Sequence, residues 1–174
     1  VSPLVERALQ IAAREVGVRE VGRNRGPRVE EYQAIAGGLP GDPWCAAFVS
    51  ACFWWASQEL GEPTPFMPTM GAQKLWRRAL AHQRYVEPEP GRVFVLDHGG
   101  GLGHCGFVES IRADSSGVEM VTIEGNTADD GGREGDGVYR RIRRLPSPKL
   151  LGFVDYGTTP ELVAAGTGKP TIHG

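Results

Sequence analysis

The sequence holds three cysteines, Cys45, Cys52 and Cys105, and four histidines, His82, His98, His104 and His173. An odd, sparse set of thiols is a poor disulfide framework, so each has to be explained singly. Cys45 follows Gly41-Asp42-Pro43-Trp44 and stands in the first turn of a predicted apolar helix. There the free backbone N–H groups and the positive end of the helix dipole favour thiolate over thiol. The same N–H groups suit a tetrahedral oxyanion, which makes the Cys45 amide a candidate donor to it. Cys52 lies two turns deeper in that helix, where apolar surroundings leave a thiol inert. Cys105 follows His104 on a predicted strand, and alternation turns it away from whatever His104 faces. It is read as core filling and not as a partner of Cys45.

A nucleophilic thiol needs a base held by a rigid element. His173 belongs to the tail and His82 to a helix end. His98 and His104 flank the run Gly99-Gly100-Gly101-Leu102-Gly103, with His98 assigned to the loop and His104 opening a strand. The small neighbours of His104 let another backbone or a substrate come close, and a strand fixes a ring better than a loop does. His104 is therefore the candidate base. The next strand ends in Glu124-Gly125-Asn126-Thr127. If it stays extended, Glu124 and Asn126 share a face, and either or both could accept the imidazole N–H.

Four helices and a run of strands must position these groups. Ser2-Pro3 is a capped helix start, and apolar residues recur at helical spacing to Val16, with a stop at Gly17. A second short helix follows Pro27 and stops at Gly37-Gly38. Residues 44–60 are apolar almost all round, which predicts a buried central helix ended by Gly61. A fourth helix is expected over 69–81, with Leu75, Trp76 and Leu80 as its apolar face. Strands are expected at 93–96, 104–111, 118–124, 137–143 and 151–156, parted by Asp114-Ser115-Ser116-Gly117 and Asp129-Asp130-Gly131-Gly132 among other turns. Helices first and strands second predict an α+β fold, with helices packed on an antiparallel sheet of about five strands. Residues 1–157 are expected to form one domain and 158–174 a loosely ordered tail.

The composition excludes several classes. A net charge of −2 gives no electrostatic footprint for nucleic acid. No apolar run reaches membrane-spanning length, and the first residues do not read as a signal peptide. Export by another route, a leader outside this sequence, or release by lysis all fit that start. The glycine run 99–103 lacks the Lys-Ser/Thr of a phosphate loop. Asp97, His98 and His104 have no usual zinc spacing. Arg140, Arg141, Arg143 and Arg144 read as a solvated basic face on a strand, able to attract an anionic wall.

Four segments together resemble the CHAP domain, the cysteine- and histidine-dependent amidohydrolase/peptidase family of the broader NlpC-type, papain-like group. They are Asn24-Arg25-Gly26-Pro27-Arg28-Val29, Pro43-Trp44-Cys45-Ala46-Ala47-Phe48-Val49, Gly103-His104-Cys105-Gly106-Phe107-Val108 and Glu124-Gly125-Asn126-Thr127. The resemblance implies a papain-like fold with Cys45 as nucleophile, His104 as base, Glu124 as orienting acid and Asn126 as a supporting amide. It also implies peptidoglycan as substrate, cut at an amide bond by an endopeptidase or N-acetylmuramoyl-L-alanine amidase. Trp44, Asn24, Arg28 and Asp42 are candidates to border the substrate cleft. Some members of the family bind calcium through an acidic loop ahead of the nucleophile; only Asp42 lies in that loop here, so no calcium is expected, nor any other metal or cofactor. Arg92 stands where the family often has Asp, a change expected to affect a turn and not the chemistry. A peptidoglycan-acting monomer in the periplasm or outside the cell is the expectation, with an immunity or delivery partner if it is a toxin. An acyl transferase and a non-catalytic wall-binding module on the same fold are the rival readings. A complete Cys–His–Glu set argues against the second, because binding has no need of it.

Overall fold

The computed structural model describes residues 1–115, 117–127 and 135–158. Helix α1 (Pro3–Glu15) starts as its sequence dictates: Ser2 caps it by accepting the Val5 N–H at 3.3 Å, and Pro3 occupies its first turn. Helix α2 (Pro27–Ile35) also opens on its proline. Helix α3 (Cys45–Leu60) is the central helix; Trp44 is its N-cap residue, and Gly61 ends it in the left-handed conformation. Helix α4 (Ala72–Arg78) is shorter than expected at both ends. Thr69 is held instead in a turn, with its Oγ1 accepting the Gly71 N–H and its backbone tied to the Ser50 hydroxyl. Past Arg78 the chain turns extended, which leaves Leu80 exposed and off the helix face.

Six strands follow, one more than the sequence predicts. They are β1 (Arg84–Tyr85), β2 (Val93–Gly99), β3 (Leu102–Asp114), β4 (Gly117–Thr127), β5 (Gly137–Leu145) and β6 (Leu150–Val154), in the sheet order β1-β6-β2-β3-β4-β5. All pairings are antiparallel. The extra strand is a two-residue edge pairing of Arg84 and Tyr85 with Val154 and Phe153, too short to leave a period-2 pattern. His98 lies in β2 and not in a loop, because the β2–β3 hairpin closes tightly on Gly100 and Gly101.

The four helices lie on one face of this α+β sheet. Val93, Val95, Cys105, Phe107, Ile123, Val138 and Val154 point to that face and join the helices in the main core. The alternate residues Phe94, Leu96, Val108, Met120 and Phe153 form a second, smaller cluster on the other face. Both faces of the central strands are therefore buried, and removing each large side chain from water contributes about 1.5–3 kcal/mol. His104, Gly106, Thr122 and Glu124 belong by alternation to the second face. Arg92, also buried, is more than a turn residue: its guanidinium lies 3.7 Å over the Tyr85 ring and donates to the Glu87 carbonyl. Thr158, assigned to the tail by sequence, is buried with its hydroxyl 3.3 Å from that of Tyr85. The turn 129–132 and the tail beyond Thr158 lie outside the described residues.

Candidate active site

The first turn of α3 meets the sheet where β3 and β4 begin to separate. The approach is close enough to require glycine on β4: a Cβ on Gly125 would lie 2.6 Å from the Phe48 Cβ and 2.8 Å from the Trp44 ring. This contact brings Cys45, 7% exposed, against the main chain of β3. The Cys45 sulfur lies near enough to the Cys105 thiol, the Cys105 backbone N–H and the His104 ring for each to favour its charged form. The Cys105 thiol and N–H, with the His104 charge, hold the Cys45 thiol well below its usual range against the opposing effect of burial. No side chain caps α3, so its first N–H groups stay available beside the sulfur.

The placement of Cys105 corrects the sequence reading. Strand alternation turns its side chain away from His104, yet the sulfur of Cys45 lies against the strand itself and reaches both neighbours. Cys105 is a buried core residue and also a partner of Cys45. Its own thiol is pushed well up by burial and by the neighbouring thiolate. Cys52 is fully buried, and desolvation raises its thiol likewise.

His104 Nε2 lies 2.7 Å from Glu124 Oε2, leaving Nδ1 as the nitrogen for the thiol. Burial lowers the basicity of the ring, but the bonds to Cys45 and Glu124 outweigh it and push the pKa up to about 9. Glu124 is wholly buried. Burial would raise its carboxyl, but the His104 and Arg143 contacts bring it down to about 2. Its stem fits because residue 106 is glycine: a Cβ there would lie 2.8 Å from the Glu124 Cγ.

Two partners of Glu124 escaped the sequence reading. Thr122 donates its hydroxyl to Oε1 at 2.5 Å. Arg143 donates through Nε to Oε1 at 2.6 Å and through Nη2 to Oε2 at 2.7 Å. The basic run on β5 is thus divided by alternation. Arg140 and Arg144 are the exposed members and pair with Glu109 and Glu119, while Arg143 turns inward. Period-2 alternation with Thr122 and Glu124 was the available signal, but the register between β4 and β5 was not.

The structure does not bring every sequence candidate to Cys45. Asn126 adopts a left-handed backbone, φ 53°, at a bulge of β4. The bulge breaks the alternation that would align it with Glu124, and among the described residues it makes no hydrogen bond to His104. Trp44 is fully buried, donates Nε1 to Glu20 at 2.7 Å and stacks on Tyr32, so it offers no ring face to a substrate. Arg28 is committed elsewhere: it forks onto Glu15 at 2.7 Å, pairs with Glu31 and stacks 4.2 Å over Trp55. Asn24 and Asp42 build the loops leading to Cys45. Asn24 donates to the Gly41 carbonyl, Asp42 accepts the Leu39 N–H, and the buried Gln33 amide ties both of their carbonyls at 2.8 Å. These four are therefore structural members of the site's surroundings in the contacts they make. Glu20, which the sequence did not single out, pins Trp44 and the Asn24 N–H together. Among the described residues no group of His, Cys, Asp and Glu is arranged to hold a metal ion.

A thiol at a helix start, an imidazole beside it and a buried carboxylate on the far ring nitrogen, set on a helix-and-antiparallel-sheet frame, make up a papain-like arrangement. The chain belongs to the CHAP domain family, whose sequence model matches residues 37–126, just over half of it. CHAP domains are generally hydrolases of the cysteine peptidase/amidase type that act on peptidoglycan. No curated protein and no solved structure matches the chain. Among the described residues no helix is long and apolar enough to cross a membrane.

Proposed function

We propose that the chain hydrolyses an amide bond of peptidoglycan through an acyl-enzyme on Cys45, acting in the cell-wall compartment. The observation that carries this reading is the Cys45–His104–Glu124 contact chain, with the thiol at the uncapped start of α3. The Cys45 thiolate attacks the scissile carbonyl carbon, forming a C–S bond while the carbonyl oxygen becomes an oxyanion. The backbone N–H of Cys45 is the donor best placed for that oxyanion. His104, protonated in the resting ion pair, gives its proton to the leaving amine as the C–N bond breaks. It then takes a proton from water, whose oxygen attacks the thioester carbonyl, and the C–S bond breaks to release the acid and restore the Cys45 thiolate beside protonated His104. Glu124 holds the ring in the orientation that points Nδ1 at the sulfur throughout.

The test is digestion of purified peptidoglycan by the parent and by Cys45→Ala, with the fragments weighed. The expected result is release of fragments bearing a new carboxylate and a new amine by the parent alone. Undiminished release by Cys45→Ala would refute the nucleophile. Products that carry an acceptor amine in place of water would make the protein a transferase.

A further inference from the structure

Arg143 lies on β5, outside the residues matched by the CHAP model, yet it makes two of the contacts to Glu124. The carboxylate receives four hydrogen bonds, two on each oxygen. Oε1 takes Thr122 Oγ1 and Arg143 Nε, and Oε2 takes Arg143 Nη2 and His104 Nε2. A carboxylate has about four lone-pair sites, so this one is saturated and has a single allowed orientation. The guanidinium is itself held, 5.0 Å from the Phe94 ring centroid, and its side chain is 28% exposed. The bidentate fork supplies direction as well as charge.

We propose that Arg143 is a positioning residue of this catalytic group: it locks the Glu124 carboxylate in the plane that His104 needs, and its charge prevents that carboxylate from holding the imidazolium proton too tightly. The proposal rests on the reading of Cys45, His104 and Glu124 as the reacting set. In the resting ion pair Cys45 and Glu124 carry two negative charges, and His104 and Arg143 carry two positive ones. The buried group is then neutral as a whole. Without Arg143 it would bear one excess negative charge at a site with little solvent to screen it. His104 must release its proton to the leaving amine, and an excess negative charge opposes that release.

The other charged and titratable groups around the ring are accounted for. Cys105 on β3 bonds to Cys45. Asp97 of β2, beside the register partner of His104, is turned to Gln73 Nε2 at 2.6 Å. His98 of β2 is exposed beyond that point. Glu109 of β3 is forked by Arg140. Tyr139 and Arg141 share the Arg143 face of β5, and Tyr139 donates its hydroxyl to Asp136. Arg143 is the guanidinium in contact with Glu124 among the described residues.

The experiment is an NMR titration of the His104 ring in the parent, Arg143→Met and Arg143→Lys, with the pH profile of peptidoglycan digestion measured on the same samples. Removing a positive charge raises the pKa of every neighbour. In Arg143→Met the His104 midpoint should rise by roughly one to two units, and both limbs of the profile should move to higher pH. Arg143→Lys keeps the charge and loses the fork, so its midpoint should return near the parent's while its turnover stays reduced. An unshifted His104 midpoint in folded Arg143→Met, with turnover reduced equally at all pH, would overturn the proposal. So would Arg143→Lys behaving like Arg143→Met. If the methionine variant does not fold, Arg143→Gln makes the same charge change and is judged by the same outcomes. The titration needs no turnover, so a failed nucleophile assignment, read from Cys45→Ala, is distinguishable from a failed role for Arg143.

Discussion

At the residue scale, Cys105 changes the picture of the thiol. Its S–H and N–H both lower the Cys45 pKa, because donors beside a charged group favour the charged form. Cys105→Ala removes the S–H donor and keeps the backbone donor. The pH midpoint for alkylation of Cys45 by iodoacetamide should therefore rise by about one unit, the equivalent of one charge-assisted hydrogen bond. Alkylation of Cys52 should stay slow in both proteins, since its thiol is enclosed and its ionisation suppressed. A midpoint that does not move would show that the Cys105 thiol contributes nothing to thiolate stability. The types and order of Cys45, His104 and Glu124 could be read from the sequence because each is a reactive side chain at an element end. The role of Cys105 could not, because alternation specifies a face and says nothing of a sulfur lying against the strand's own backbone. Trp44 and Arg28 are cleft candidates by residue type alone. Both types occur at binding surfaces, and only the contacts with Glu20 and Glu15 show them already engaged.

At the element scale, the junction of α3 with β4 determines whether the thiol reaches the ring. Gly125 permits the approach, and Gly106 gives the Glu124 stem its space. Gly125→Ala places a methyl group inside contact distance of Phe48, and such overpacking costs about 1–3 kcal/mol. The expected result is a lower urea midpoint with an unchanged urea slope, together with reduced peptidoglycan digestion as α3 is pushed away from β3. Stability equal to the parent's would mean that the junction is looser than its geometry indicates. The long elements were legible in the sequence. A uniformly apolar segment ended by Gly61 predicts a buried helix, and α3 is one. The ends were less so. Helix α4 loses its expected first turn to hydrogen bonds among Ser50, Thr69 and Gly71, two of which involve a residue far away in sequence. Strand β1 exists only because β6 is there to pair with it.

At the scale of the whole molecule, the charge network links stability to pH. Glu124 titrates near 2 in the folded chain, well below a free glutamate at about 4.3. A depressed carboxylate contributes stability that is fully present above its unfolded pKa and is lost as pH falls through the folded one. Resistance to urea should therefore weaken between about pH 4.5 and pH 2, and this part of the loss should be smaller in Glu124→Gln. An equal acid loss in both proteins would place the sensitivity elsewhere. The sequence by itself determined the α+β order of elements, the buried helix behind Cys45 and the reactive residue types, because these follow from local periodicity, capping and the side chains' own chemistry. Tertiary structure alone decided the rest: that Cys45 lies against Cys105, that Glu124 and not the left-handed Asn126 meets His104, and that one arginine of an ordinary-looking basic run closes the network from β5. Those pairings depend on strand register and on how closely a helix approaches a sheet, and neither is encoded in the pattern of any single segment.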